Sequence, residues 1–590
     1  MSLMEDATGT RAKTAKNIVP DAKTVINKPV VLIAGAGIGG LTTALLCERA
    51  GIEYFVFERA SKVKPLGSAM SLSQNILPAL EQLGLLEELQ NMSLPVKSLD
   101  MYKENMTLIG SIDGKPYDDL TGYRTYVFAR PDFYELLLSK VPPTKIFMGK
   151  KISSIQQNAD GVMIRCVDNT NYHGDILVGA DGAHSAVRQN LYKQMEEQGL
   201  LPKEDMEEMP RVFLSMLGIT KPLDLKKYSA LEDTSRTYFS TVLAKDNPRC
   251  WNTATLKGNR IAWALNQQLT STEAKEMFFR NSEWGPEANK ATIDEIYNYP
   301  IKEGGIMGEL IDMTDKDLIS KVYLEEKLFL TWNHGRTVLM GDAAHKIQPA
   351  AGQGAVSAIE DAIVLVNCIY DIEDVAYENI QVALAEYRAQ RFSHAELQVN
   401  LGTTFAKVMF GQSLSERIMR KIAFNLPKWA QVRSHLKMAP YRPLVSFLPP
   451  PPNRSTIKML PQKPSKRYAK EQAARAKEEA AAKEEAAKVD ADSSVAVAVA
   501  VSQPLTRCNP VQVKEPQDDI ERAARVNIQA ALADYRAQRY EHTEFQVKLG
   551  KKMAKIMFGQ MELGYQKPSK RYAKEQAASN QAANTAAVAV

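Results

Sequence analysis

Three clusters of glycine and acid, each at the end of a short apolar run, are where this sequence could do chemistry. The first is Gly35-Ala36-Gly37-Ile38-Gly39-Gly40. In a G-x-G-x-x-G arrangement Gly35 permits a tight turn, Gly37 lets the backbone approach a pyrophosphate, and Gly40 lets a helix pack on a strand. Glu58, about twenty residues on, is placed to accept hydrogen bonds from an adenosine ribose. The second cluster is Asp181-Gly182, in Asp175-Ile176-Leu177-Val178-Gly179-Ala180-Asp181-Gly182. The third is Gly341-Asp342, followed by Pro349-Ala350-Ala351-Gly352-Gln353-Gly354 and an apolar helix from Ala355. An acid at a strand end suits a polyol hydroxyl. A glycine loop leading into a helix N-terminus offers positive potential to an electron-accepting ring, which suits a flavin. The first motif alone does not separate NAD from FAD.

The elements that must position these residues are legible around them. Pro29-Val30-Val31-Leu32-Ile33-Ala34 is an apolar, β-branched run and predicts a strand buried on both faces. A Leu/Ala/Thr-rich helix follows from Leu41 to Ala50 and stops at Gly51, and Tyr54-Phe55-Val56-Phe57 predicts the next strand. Strand, glycine turn, helix, strand and acid make one βαβ unit, the opening of a doubly wound parallel sheet.

The 590 residues suffice for two or three domains at about 150 residues each. With 74 Lys+Arg against 69 Asp+Glu, the net charge of +5 is too diffuse for a nucleic-acid binder working through a general basic field. The five cysteines form no C-x-x-C pair and no cluster at zinc spacing, so neither a disulfide scaffold nor a metal site is expected, and the compartment reads as reducing. No apolar run is long enough to cross a membrane and Met1–Lys28 lacks a signal-type core, which makes a cytoplasmic address the default. His184 and His345, each just after a motif aspartate, read first as structural hydrogen-bonding groups. Trp251, Trp263 and Trp284 read first as core, and Cys47 as packing.

From about Asp205 to Lys327 the glycine turns vanish and aromatic, alternating stretches such as Arg260-Ile261-Ala262-Trp263-Ala264-Leu265 predict antiparallel strands. Arg417 to Arg442 interleaves basic residues with Ile418, Ile422, Phe424, Leu426 and Trp429, a pattern that serves either a packed helix or peripheral contact with an anionic membrane. Tyr468 to Lys488 is Ala/Glu/Lys/Arg-rich and predicts a solvated helix or a helical linker, and Ser493 to Val501 is a low-complexity alternation of Val and Ala, compatible with disorder or with an added strand. The C-terminal region repeats earlier sequence. Residues 379–412 return, about two-thirds identical, as 527–560, and 462–472 return as 566–576. Two copies do not make a solenoid, and a partial duplication is the simplest account.

The three motifs, in kind, order and spacing, resemble the FAD-dependent aromatic-hydroxylase class of flavoprotein monooxygenases, of para-hydroxybenzoate hydroxylase type, and in particular its fungal biosynthetic members. The resemblance covers about Lys28 to Gln462, including Tyr441-Arg442-Pro443 through Phe447-Leu448-Pro449. It implies an α/β fold: a doubly wound, Rossmann-like FAD-binding domain interrupted by a mostly antiparallel substrate domain, with a helical C-terminal region and a low-complexity tail. The expected division is a leader at 1–27, FAD-binding parts at 28–204 and 328–415, a substrate domain at 205–327, a helical closing segment at 416–462 and a tail at 463–590.

The resemblance further implies that FAD is held by Gly35, Gly37, Gly40, Glu58, Ser71, Arg130, Asp181, Gly182, Asp342, Pro349, Gly352, Gly354 and Ala355, with Asp181-Gly182 also serving NADPH or NADH. The implied reaction is reduction of the flavin by NAD(P)H, addition of O2 at its C4a position to give a hydroperoxyflavin, and hydroxylation or epoxidation of a small aromatic or terpenoid-like molecule. One departure stands out. Fungal relatives carry a Tyr or Arg, proposed as catalytic, where Phe213 and Leu214 stand here, so no catalytic side chain is assigned. The alternative is a catalytically impaired flavin-binding protein with a partner-recruiting tail. A flavin halogenase is disfavoured because no W-x-W-x-I-P sequence occurs.

Overall fold

The computed structural model describes residues 28–245, 249–269, 286–410, 413–435 and 438–497. Trp284, the leader 1–27 and the second copies at 527–560 and 566–576 lie outside the described residues. The chain divides into two compact units, Met1–Glu484 and Glu485–Val590. Both large sheets and the crevice belong to the first; of the second only the end of the helix Lys466–Val497 is described.

A six-stranded sheet organises the nucleotide-type domain. Its order is Asn333–His334, Thr337–Leu339, Ile176–Gly179, Val31–Ala34, Tyr54–Glu58 and Ile146–Met148, with all pairings parallel except that of Asn333–His334 with Thr337–Leu339. Val31 to Ala34 is buried along its whole length, as the unbroken apolar run requires of a strand covered on both faces. The helices Ile38–Ala50 and Gly354–Tyr370 contribute to this cover, and their apolar residues join the strands in a single core. Cys47 belongs to that core; burial pushes its thiol up to about 12, which leaves it an inert packing group.

The second sheet has nine strands. Ser320–Glu325, Arg211–Ile219, Arg260–Gln268, Arg249–Leu256, Thr237–Leu243, Leu94–Lys103, Tyr126–Ala129 and Ala69–Leu72 follow in order, and Leu108–Asp113 pairs with Leu94–Lys103. Only Thr237–Leu243 on Leu94–Lys103 is parallel. The linear division at 205–327 is therefore incomplete, because four strands between Ala69 and Ala129 also belong to this sheet. Their signal in the sequence is weak: Ala69-Met70-Ser71-Leu72 is too short to show a period. Trp251 and Trp263 are core residues of this sheet, their indole N–H groups satisfied by Pro300 O at 2.7 Å and Thr314 Oγ1 at 2.9 Å.

The C-terminal region is helical. Tyr377–Phe410 is long and carries most of the first copy of the larger repeat. The basic stretch splits into Leu414–Phe424 and Lys428–His435. The helix Lys466–Val497 starts earlier and ends later than its composition implied, running into the Val/Ala alternation as helix rather than strand. Among the described residues no helix is long and apolar enough to cross a membrane.

Candidate functional site

The register of the first sheet brings the three motifs together. Ala34 pairs with Gly179, and Gly179 with Leu339, so the loops that follow these strands emerge side by side at their C-terminal ends. This is where open α/β sheets present a binding crevice.

Two glycines of the first loop are dictated by contact. Gly35 has φ +99°, and a Cβ there would lie 2.5 Å from Ala180 O and 2.9 Å from Asp181 Cα. A Cβ on Gly40 would lie 2.0 Å from Gly35 O, so only glycine lets the helix start under its own turn. Gly37 differs: a Cβ on it would meet nothing within 4 Å, and the same holds for Gly182 and Gly354. These three glycines, one from each motif, border open space.

The helices Ile38–Ala50 and Gly354–Tyr370 both begin without a side-chain cap, at Gly37 and Gln353. Their first N–H groups are left to a ligand or to water. By contrast, the helix after the second motif is closed by Ser185, whose Oγ accepts from Arg188 N at 2.9 Å. Two of the three helix starts at the crevice are therefore available to an anion.

The acids occupy distinct states. Glu58 braces the first loop, its Oε2 accepting from Ala36 N and its Oε1 from Ala60 N, both at 2.9 Å. Each oxygen keeps a second lone pair for a ribose hydroxyl. Asp181 Oδ2 accepts from Val187 N at 3.1 Å, whereas Oδ1 is buried without a hydrogen-bond partner. Burial pushes the Asp181 carboxyl above its ordinary range. Asp342 pairs with Lys346 and also acts electrostatically on Arg130. Arg130 starts a helix, donates to Leu66 O at 2.9 Å and packs its stem under Gly67.

The loop after the third motif turns through the short helical stretch Pro349–Ala351 and leaves it at Gly352, which has φ +63°. A Cβ on Gly352 would lie 3.0 Å from Ser71 Oγ, which places Ser71 of the second sheet against this loop. Ala355 follows in the first turn of the uncapped helix. Contacts thus join several of the residues singled out from the sequence: Gly35 to the Ala180-Asp181 turn, Glu58 to the first loop, Ser71 to Gly352, and Arg130 electrostatically to Asp342. His184 does not join them: its side chain is 67% exposed and lies 3.4 Å from Glu325. Arg211 turns to the same acid, Nε to Oε1 at 3.2 Å.

A buried ionic cluster lies behind the third motif, and of its members the sequence singles out only His345, as a structural hydrogen-bonding group. Arg391 Nε lies 2.7 Å from Asp361 Oδ1, and its guanidinium also meets Glu360 Oε2 at 3.0 Å. Asp361 Oδ2 lies 2.6 Å from His345 Nε2 and accepts from Gly341 N at 2.8 Å. Burial alone would raise the Asp361 carboxyl, but the adjacent His345 and Arg391 outweigh it and hold the group down at about 2. Arg391 itself lies inside the repeated segment 379–412, where nothing in the sequence marks it as buried.

Comparison with known proteins bears on this crevice. Residues 28–401 match the family described as FAD binding domain. The chain is 31% identical over 343 residues to the FAD-dependent monooxygenase paxM of Penicillium paxilli, covering 58% of this chain and 69% of that protein. It is 30% identical over 377 residues to the FAD-dependent monooxygenase ptmM of Penicillium ochrochloron, covering 61% and 84%. Among solved structures, HpxO of Klebsiella pneumoniae, complexed with FAD and uric acid, superposes with a TM-score of 0.56 at 20% identity, over 70% of this chain and 96% of that one, a likeness of fold. Open glycines, uncapped helix starts and an unpaired buried carboxylate oxygen all suit FAD, and the chain belongs to the FAD binding domain family as an FAD-dependent monooxygenase.

Proposed function

We propose that the protein uses NADPH or NADH and O2 to hydroxylate or epoxidise a small organic molecule, aromatic or terpenoid-like, with FAD held in the crevice at the ends of the three parallel strands. The observation that supports this reading is the set of Gly37, Gly182 and Gly354, one per motif, each bordering open space. Gly37 and the N–H groups at the start of Ile38–Ala50 bind the pyrophosphate, and Glu58 takes the ribose while bracing Ala36. Arg130 and Ser71 line the crevice from the side of the second sheet, and Asp181 and Asp342 accept hydroxyl groups. Residues Pro349 to Ala355 cradle the ring, where the uncapped helix start favours negative charge.

When bound, FAD supplies two-electron transfer from the reduced nicotinamide and activation of O2. The chain's part is to bind, orient and exclude water, with 28–204 and 328–415 as its FAD-binding parts and 205–327, joined by the strands between Ala69 and Ala129, as its substrate side. Purified protein should carry a flavin absorption spectrum, and mass spectrometry of the released cofactor should return FAD. Candidate substrates should accelerate NAD(P)H oxidation and gain one atom from labelled O2. Protein that takes up no FAD on reconstitution, or that makes only peroxide with every candidate, contradicts the proposal.

A further inference from the structure

The helix Leu414–Phe424 presents two unlike faces. Its inner face is fixed: Phe424, Met419 and Ala423 pack in one apolar cluster with Phe213, Met101 and Phe410, and Arg420 donates to Met409 O at 2.9 Å. A Cβ on Gly110 would come within 2.6 Å of Phe424 O, so the helix lies hard against the strand Leu108–Asp113. Its start is locked by a capping box between Ser413 and Glu416. The outer face carries Leu414, Ile418 and Ile422 at spacings of four, one stripe on a helix, and these side chains are 76%, 52% and 38% exposed. Trp429, at the start of the next helix, is 71% exposed.

Scattered exposed apolar residues need no explanation, but a stripe on a rigidly anchored helix does. Charge selects its occupant. Residues 413–435 contain Arg417, Arg420, Lys421, Lys428 and Arg433 against the single acid Glu416, and Arg417, Lys421 and Arg433 are exposed. An apolar stripe flanked by cations, with an exposed tryptophan five residues past the helix end, has the chemistry that suits an anionic lipid surface: aliphatic side chains enter the acyl boundary while cations meet headgroups.

We infer that the outer face of Leu414–Phe424, with Trp429, docks this protein on an anionic membrane. The stripe helix and Ala350 share the apolar cluster behind the outer face. Taken with the reading of 349–355 as the flavin cradle, on which this consequence rests, the docked enzyme faces substrates dissolved in lipid.

The test is co-sedimentation of the full-length holoprotein with phosphatidylcholine vesicles with or without roughly 30% phosphatidylserine. Binding is expected to the anionic vesicles only, and to weaken with salt. Ile418→Asp should abolish it, and Arg417→Glu/Lys421→Glu should reduce it at least about tenfold. Each variant is checked for unchanged flavin absorbance and melting temperature; if Ile418→Asp does not fold, Leu414→Asp replaces it. Absence of vesicle binding overturns the inference, as does binding indifferent to these substitutions. A wild-type dimer that Ile418→Asp dissociates also overturns it and assigns the stripe to a second copy of the chain. Binding is read without turnover, so its failure is distinct from a failure of the proposed reaction.

Discussion

The backbone amide of Gly341 donates to Asp361 Oδ2 across 2.8 Å, tying the turn that presents Asp342 to an acid on the helix behind it. Gly341 has φ +56°, a conformation few residues adopt, and its amide is satisfied by a carboxylate that His345 and Arg391 keep ionised. The geometry at the crevice is therefore set by a charge cluster buried behind it.

Removing Arg391 leaves Asp361 and Glu360 buried without their cation. Arg391→Leu is expected to cost about 3–5 kcal/mol of stability, measured by denaturant unfolding. A loss under about 1 kcal/mol would contradict the assignment.

Acid should act through the same carboxylate. Its folded pKa of about 2 lies below the ordinary Asp value near 3.8, so protons bind the unfolded chain more readily and stability falls as pH drops through this window. The linked contribution is on the order of 2 kcal/mol. Asp361→Asn should flatten the pH dependence of stability between about pH 4 and pH 2; an unchanged slope there rejects the role.

Two glycines of one motif should respond differently. Gly40→Ala drives a Cβ into Gly35 O and should destabilise the fold by about 3 kcal/mol. Gly37→Ala meets no protein atom, so the melting temperature of the apoprotein should hold while flavin retention falls. Equal loss of stability in both would show that Gly37 serves packing alone.

The acids at the crevice should separate stability from binding. Asp342→Ala is expected to weaken flavin retention with little loss of fold, whereas His345→Ala strips the buried Asp361 of a partner and lowers the melting temperature. Asp181→Asn relieves a carboxylate that burial disfavours, so the apoprotein should be no less stable while the holoprotein loses flavin faster. Retention equal to wild type in both Asp342→Ala and Asp181→Asn would move the cofactor elsewhere.

Truncation after Gln462 keeps every cofactor motif, yet it removes contacts that no motif announces. Tyr370 OH donates to Glu471 Oε2 at 2.6 Å, Ser465 bonds to Asp371, and the Arg467 guanidinium lies over the Tyr370 ring. Ending the chain at Gln462 should lower the melting temperature by several degrees relative to the full chain. Calorimetry of the two holoproteins distinguishes them.

The motifs were legible because their demands are local: Gly35 and Gly40 answer to atoms within a few residues or on the adjacent strand, and the run Val31 to Ala34 announces its own burial. Ser71 could be placed only by resemblance, since its neighbour Gly352 is far along the chain. The Arg391 cluster was hidden because an arginine on a helix usually marks a wet face, and only tertiary packing turns it inward. The second sheet was half seen for a similar reason: of its strands from Ala69 to Ala129, Ala69–Leu72 and Tyr126–Ala129 have only four residues each, and helices separate them along the chain.

Strand order also sets a timetable. Val31 pairs with Ile176, and Leu177 with Thr337, so the central sheet waits on segments made far apart in time. At roughly 5–20 residues per second, a ribosome spends on the order of ten to thirty seconds between finishing Gly179 and supplying Thr337. Throughout that interval the edge of Ile176–Gly179 has no partner, a nascent chain open to mispairing and to chaperones. The crevice itself does not exist until Gly354 has left the ribosome. A ligand that needs all three loops can therefore bind only once the chain through Gly354 has been made.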